Sequence, residues 1–330
     1  MSKSLNVLVT GMGALIGQGV ALGLRNDKRT SIIGLDRSYS AYGSSLCEEF
    51  VCKPKVDDRS PEYLEFWLEL LQQKRIDLIL PAISIDLDFV DAHRMTFEAA
   101  GVRLGINSAA LISVACDKMN FYKALESLDV PRIPSAQPKS WSDALEMMGP
   151  APLLLKPRRG EGSQGHALLI DEADFLYWTQ KANNENWMLQ PIIGTDHEEY
   201  TVGCFGLDNG EFLDEMIIMR RRLTRSGNTG LAEVVDHPLI LETSRKLMRY
   251  FKPVGPTNLQ FRVAAGKAYL LEINPRFSSS CSLRTSFGFN EAEMCVDYFL
   301  RGKRPAEPQI KFGAAQRYSA DFIVYESNYI

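Results

Sequence analysis

No stretch of the 330 residues approaches the roughly 18 to 20 consecutive apolar residues that a helical membrane span requires. No membrane partner is therefore expected. A basic surplus is also missing. Acidic residues number 41 and basic ones 37, a formal charge of −4, so the whole-chain footprint of a nucleic-acid binder is absent. Internal repeats and low-complexity segments are lacking. Apolar residues at 45% and charged residues at 24% sit near the globular average, which excludes a disordered chain, a collagen and a coiled coil. Cys-x-x-Cys does not occur, and no His lies at zinc spacing from a cysteine pair. Cysteines 47, 52, 116, 204, 281 and 295 accordingly read as buried reduced thiols. Met1–Thr10 runs directly into strand-like sequence, without a signal peptide's apolar core or cleavage site. A cytoplasmic protein is the expectation.

The length favours about two domains. The first stretch alternates strand-like and helical patterns: a strand at 6–10, a helix to about 26, strands at 31–36 and 77–81, helices at 61–74 and 88–100. Such alternation implies a parallel sheet with helices on both faces. The pattern changes near 107–108. A helix is expected over 113–127, prolines 131, 134 and 138 follow, and then come strands in pairs. These lie at 153–156, 167–170, 188–190, 199–205, 212–223, 258–263 and 268–273, with few helices between. The main boundary is placed near residue 112. The final alternating run, 317–325, reads as a last strand or a dimer contact.

Two glycine loops invite phosphate. Gly11, Gly13 and Gly17 precede a helix, and Asp36 follows at ribose-binding distance in sequence. Their spacing, G-x-G-x-x-x-G, is one residue longer than the dinucleotide fingerprint. The alternative is a tight structural turn. The second loop follows a strand ending in Lys156 and carries Gly160, Gly162, Ser163 and Gly165. Glycine backbone N–H groups and a lysine suit phosphate oxygens, although the P-loop pattern is absent.

Farther on, a strand breaks after Gln190 at Pro191, and Glu199 opens the next one. The break frees backbone groups that can read an adenine edge. A paired run then follows, from Asn258 through Gln260 to Glu272, Asn274 and Arg276. Period two places Glu272 and Asn274 on one face. A three-residue turn at 265–267 would set Gln260 opposite Glu272, whereas a two-residue turn would part them. Gathered together, these oxygens suit Mg²⁺.

These segments resemble the ATP-grasp superfamily, and within it the carbamoyl phosphate synthetase large-subunit type and its small stand-alone carboxylate–amine ligase relatives. The run Asn258-Leu-Gln-Phe … Leu271-Glu-Ile-Asn-Pro-Arg-Phe-Ser-Ser carries the likeness, with Ile16-Gly-Gln18 and Asp117-Lys118 in support. The resemblance implies an α/β plus α+β fold. A Rossmann-like domain over 1–112 precedes an ATP-grasp domain over 113–330, with a small lobe at 113–190 and a large lobe at 191–330. It implies that Lys118 and Lys156 hold ATP phosphates under the 160–165 loop. Gln190, Pro191, Ile192 and Ile193 would read adenine, and Glu199 would hold the ribose. Gln260, Glu272 and Asn274 would ligate Mg²⁺, with Mn²⁺ as a substitute. Arg276 would stabilise an acyl phosphate. A further cation is expected from Met219–Gly227, where Arg220 and Arg222 share a face and Arg222 is favoured.

The implied activity is ATP-dependent ligation of a small-molecule carboxylate to an amine, with release of ADP and phosphate. The substrate is expected between the two domains, near Gly11–Gly17. Asp36 and Asp86 read either as amine contacts or as helix caps. The sequence departs from the carbamoyl phosphate synthetase pattern after Asn-Pro-Arg, where Phe277–Ser282 lacks a second arginine. Three other readings remain: a bicarbonate-activating enzyme of that type, an NAD(P)-dependent oxidoreductase using the first glycine loop, or a non-catalytic nucleotide-binding or regulatory module. The sequence leaves room for a homodimer.

Overall fold

The computed structural model describes residues 4–160, 165–182, 186–225 and 227–325. Three sheets organise them. The first contains β1 (Leu5–Thr10), β2 (Thr30–Asp36), β3 (Glu49–Cys52), β4 (Leu78–Leu80) and β5 (Arg103–Leu104). It is wholly parallel in the order β3-β2-β1-β4-β5, the doubly wound arrangement. Its central strands are almost continuously apolar because both faces are covered.

The second sheet is small and antiparallel, in the order β7-β6-β8: β6 (Leu153–Pro157), β7 (Ala167–Leu169) and β8 (Trp187–Pro191). Helices Trp141–Met148 and Glu172–Lys181 cover one of its faces through Ala144, Met148 and Phe175. The third sheet has β9 (Glu199–Gly206), β10 (Ile217–Leu223), β11 (Thr229–Val234), β12 (Gly255–Ala264), β13 (Lys267–Asn274) and β14 (Ala314–Gln316). Its order is β13-β12-β9-β10-β11-β14, and helix Pro238–Phe251 packs against it.

The parallel sheet and the large antiparallel sheet share one core. Val7, Val9 and Leu80 belong to the same buried cluster as Phe205, Ile217, Phe277 and Phe289. Close approach explains two helical glycines. Helix Leu15–Leu24 lies on Cys281–Ser286 and Glu291–Cys295. A Cβ on Gly23 would meet Asn290 Oδ1 at 2.7 Å, and one on Gly19 would meet Ser282 N at 3.1 Å. Asn107 bonds both ways across the same seam, donating to Pro256 O at 3.0 Å and accepting from Val254 N at 2.8 Å.

Several expectations change. The helix expected over 113–127 is two helices, Ala109–Cys116 and Lys118–Ala124. Asp117 parts them by capping the second, accepting from Met119 N at 3.0 Å and Asn120 N at 3.4 Å. The second half also holds more helix than its paired strands suggested. The run 317–325 is not a strand among the described residues; the edge strand is β14, immediately before it.

The first glycine loop serves the turn itself. Gly13 N donates to Asp36 Oδ2 at 2.7 Å, and Ala14 N to Gly11 O at 2.9 Å. Asp36 Oδ1 accepts from Arg37 N at 2.6 Å, so this carboxylate ties the loop to β2. Gly11 adopts a φ of +67°, and a Cβ on Gly17 would come within 2.3 Å of Gly11 O. Replacing Gly17 by Ala should therefore destabilise the chain by about 1–3 kcal/mol, as overpacking does. A thermal melt should fall by several degrees; an unchanged melt would contradict this role for Gly17.

Candidate active site

One face of the large sheet carries the chemistry, and its register explains how. On β12, Leu259 and Phe261 are buried in the core while Gln260 and Arg262 point the other way. Arg262 pairs in register with Glu199, and Met219 pairs with Thr201, which carries Arg221 opposite Glu199. Arg221, Glu199 and Arg262 thus form a row across β10, β9 and β12. Arg221 donates to Glu199 Oε1 at 3.1 Å, and Arg262 donates to Glu199 Oε2 at 3.2 and 3.0 Å. Glu199 and Arg221 are 4% and 5% exposed, so each buried charge has its counter-charge beside it.

The β12–β13 hairpin corrects one sequence expectation in an instructive way. Ala264 pairs with Lys267, so the turn is the two residues Ala265 and Gly266, with φ of +47° and +67°. That turn alone would have separated Gln260 from Glu272. A bulge restores them. Phe261 pairs with Leu270 but Gln260 pairs with Glu272, which leaves Leu271 as the extra residue. The Tyr122 hydroxyl holds the bulge, donating to Leu271 O at 2.7 Å. Glu272 and Asn274 then face the cavity beside Gln260. Gln260 Nε2 and Asn274 Nδ2 both donate to Glu272 Oε1, the latter at 2.8 Å.

These groups line a cavity of about 740 Å³. Its walls include Lys118, Lys156, Gly160, the segment Gln190–Ile193, Glu199, Gln260, Glu272, Asn274 and Arg276. Lys118 is the first residue of its helix, and its Nζ donates to Gly160 O at 2.8 Å. Asp117 joins that helix to the loop through Arg158, at 3.1 and 2.7 Å. Burial pushes the Asp117 pKa up, but the Arg158 bonds and the helix N–H groups outweigh it and hold the carboxyl below its usual range. The strand does not break at Pro191, which still pairs with Leu153; Gln190, one residue before it in β8, donates to Ser135 Oγ at 2.6 Å. Arg276 reaches the first domain, where its Nε donates to Ser84 Oγ at 2.8 Å. Ile16, Ser84, Leu87 and Asp88 carry the cavity on to the carboxyl ends of the parallel strands.

Some sequence-derived candidates fall elsewhere. Arg222 does not line this cavity. It shares its outward face with Arg220, which pairs with Glu233 at 2.5 Å, and alternation gives the inner face to Arg221. Gly165 is a left-handed turn residue (φ +74°) outside the wall, where a Cβ would meet Pro157 at 2.9 Å. Gly162 and Ser163 lie outside the described residues. Asp86 is buried in an ion pair with Lys53 and does not reach the cavity. Sequence reasoning passed over Arg221, Arg262, Tyr122 and His166. His166 is a cavity-wall residue directly after the glycine loop. Burial, with Lys156 and Lys118 adding repulsion, lowers its pKa to about 4, so it is neutral at physiological pH.

The family described as "ATP-grasp in the biosynthetic pathway with Ter operon" matches residues 183–322, and the family "PylC-like, N-terminal domain" matches 7–104. The chain thus resembles ATP-grasp proteins over residues 183–322. It is 29% identical over 199 residues to the carbamoyl phosphate synthase large chain of Acidobacterium capsulatum, covering 56% of this chain and 18% of that one. Over 187 residues it is 28% identical to the corresponding chain of Clostridium botulinum, covering 52% and 17%. The chain thus spans less than a fifth of the length of either relative.

Among solved structures, the biotin carboxylase domain of Hydrogenobacter thermophilus 2-oxoglutarate carboxylase, complexed with MgADP, ADP and bicarbonate, superposes with a TM-score of 0.75. Identity is 15%, with 95% of this chain and 74% of that chain covered. Staphylococcus aureus N5-carboxyaminoimidazole synthetase complexed with ADP gives a TM-score of 0.71 at 16% identity, covering 94% and 81%. The fold of these two proteins therefore extends over nearly the whole chain.

Lys156 supplies a pH test of the site's electrostatics. Burial lowers its pKa from 10.5 to about 8; Lys118 and Arg262 add to the shift and Glu272 opposes it. Between pH 8 and 10.5 the unfolded chain holds a proton that folded Lys156 has lost, so this residue's contribution to stability rises with pH. Urea unfolding at pH 8 and 9.5 should show wild type gaining about 1–2 kcal/mol relative to Lys156→Met. A difference independent of pH would contradict the buried placement.

Proposed function

We propose that this chain is an ATP-dependent ligase that activates a small-molecule carboxylate as an acyl phosphate and couples it to an amine, releasing ADP and phosphate. The observation that carries this reading is the convergence, in one cavity, of two lysines, the segment Gln190–Ile193 where β8 ends, a Glu–Asn–Gln cluster and Arg276. That cavity continues to the carboxyl ends of the parallel strands, where α/β folds bind ligands. In this reading residues 1–112 supply the substrate side, 113–190 the small lobe and 191–330 the large lobe.

The chain's own groups act by positioning and charge neutralisation. Lys118 and Lys156 meet the phosphates, with Gly160 opening the loop beside them. Gln190 to Ile193 face adenine, and Glu199, fixed by two arginines, accepts from ribose hydroxyls. The carboxylate substrate attacks the γ-phosphorus from the side of Ser84 and Arg276, and ADP leaves. Arg276 offsets charge on the acyl phosphate until the amine displaces phosphate. Arg221 takes the place given from sequence to Arg222. Oxygen donors such as those of Glu272 and Asn274 suit Mg²⁺, which neutralises phosphate charge when bound. The complexes of the two structural neighbours with ADP or MgADP support a nucleotide in this cleft.

The test is ADP release across a panel of acids and amines. Release that requires both an acid and an amine, and falls about 100-fold or more in Arg276→Ala while ATP affinity stays within about threefold, is the expected result. Release that depends on bicarbonate without an organic acid would replace this reading with bicarbonate activation.

A further inference from the structure

Arg262 lines the cavity with the edge of its guanidinium already occupied. Its Nε and Nη2 donate to Glu199 Oε2 at 3.2 and 3.0 Å. Nη2 also donates to Asp196 Oδ1 at 2.5 Å, and Nη1 donates to Ile193 O at 3.4 Å. All three nitrogens are thus engaged, and N–H bonds of a guanidinium point outward in its own plane.

Those partners decide what else this arginine can hold. Glu199 and Asp196 offset its charge from two sides, so a phosphate or carboxylate approaching it would meet two carboxylates of its own sign. The side chain is nevertheless 21% exposed. When the edge of a guanidinium is occupied, its flat face remains, and that face stacks on aromatic rings. The segment after β8 lies tight beside it. Gly194 adopts a φ of +60°, and a Cβ there would meet Val263 O at 3.0 Å, so this stretch runs directly along β12. Leu154, Ile192, Ile193 and Leu271 add apolar surface to the same cavity. An uncharged flat ring suits this wall and an anion does not.

We infer that the Arg262 guanidinium is a stacking platform for a nucleobase, face to face with the ring whose edge meets Gln190–Ile193. The inference rests on the ligase reading in that the cavity takes a nucleotide. Beyond that reading, it assigns the contact to the face of the base and makes Arg262 a binding residue as well as a brace for Glu199.

NMR of the Arg262 Nε–H group in the labelled full chain reads the contact, because a proton over the face of an aromatic ring moves upfield. The signal is identified by its loss in Arg262→Lys. Adenylyl imidodiphosphate with Mg²⁺ should move it upfield, and inorganic tripolyphosphate with Mg²⁺ should not. By titration calorimetry, Arg262→Met should weaken adenylyl imidodiphosphate about fivefold or more. Arg262→Lys keeps a cation beside Glu199 but has no flat face, so it should fall by a similar factor; this arm and the wild-type signal carry the test should the methionine variant fail to fold. An unmoved signal with nucleotide bound, the same upfield movement with tripolyphosphate, or wild-type affinity in Arg262→Lys would each overturn the inference while leaving the nucleotide site standing. Failure of the wild-type chain to bind adenylyl imidodiphosphate would remove the ligase reading with it.

Discussion

The buried row of charges Arg221–Glu199–Arg262 is the constraint on which the site depends. Glu199 is almost wholly removed from water and takes an arginine on each carboxylate oxygen. Removing either partner would strand a buried charge, the costly way to break such a pair. Because the three residues come from β10, β9 and β12, their pairing also fixes which face of each strand meets the cavity. A shift of one residue in β10 would turn Arg221 outward and bring Arg220 and Arg222 in. The row continues through Gln260 to Glu272, so Glu199 and the Glu272 cluster belong to one hydrogen-bonded chain. Such networks are strongest when every member is satisfied.

The first domain completes the cavity. Helical glycines let it approach the large sheet until the two share a core, and Asn107 closes the seam with backbone bonds. The same approach brings Ser84 to Arg276. Arginine orientation at the far end of the cavity is thus set by a residue 192 positions away in sequence. Glycines that suggested a dinucleotide are instead consumed by a turn that Asp36 ties down.

Much of this was legible in the residues. Strand–helix alternation announced the parallel sheet, and the polar positions before Asn-Pro-Arg announced the cluster on β13. Where reading failed, the missing information was non-local. Period two shows that Arg220 and Arg222 share a face, but only the register with Glu199 tells which face meets the cavity. The bulge at Leu271 has no glycine or proline to announce it. It is stabilised by Tyr122, nearly 150 residues earlier, so a three-residue turn was the simpler route to a pairing that does exist. Helix Pro238–Phe251 was passed over although its signal was local: a proline at its start, and Ile240, Leu247 and Met248 on its buried face. Arg262 lay within a strand already identified, and its alternation with Phe261 and Val263 placed it on the cavity face.

The central claim is that the cleft takes ATP together with a divalent cation. Thermal unfolding of the purified chain with ATP and Mg²⁺, with ATP and a chelator, and with NADPH tests it most directly. A ligand present at 100 times its Kd stabilises the folded state by about 2.7 kcal/mol. The account predicts a shift of several degrees with ATP and Mg²⁺, most of it lost on chelation, and none with NADPH. Stabilisation by NADPH alone, or by ATP to the same extent with and without metal, would contradict it.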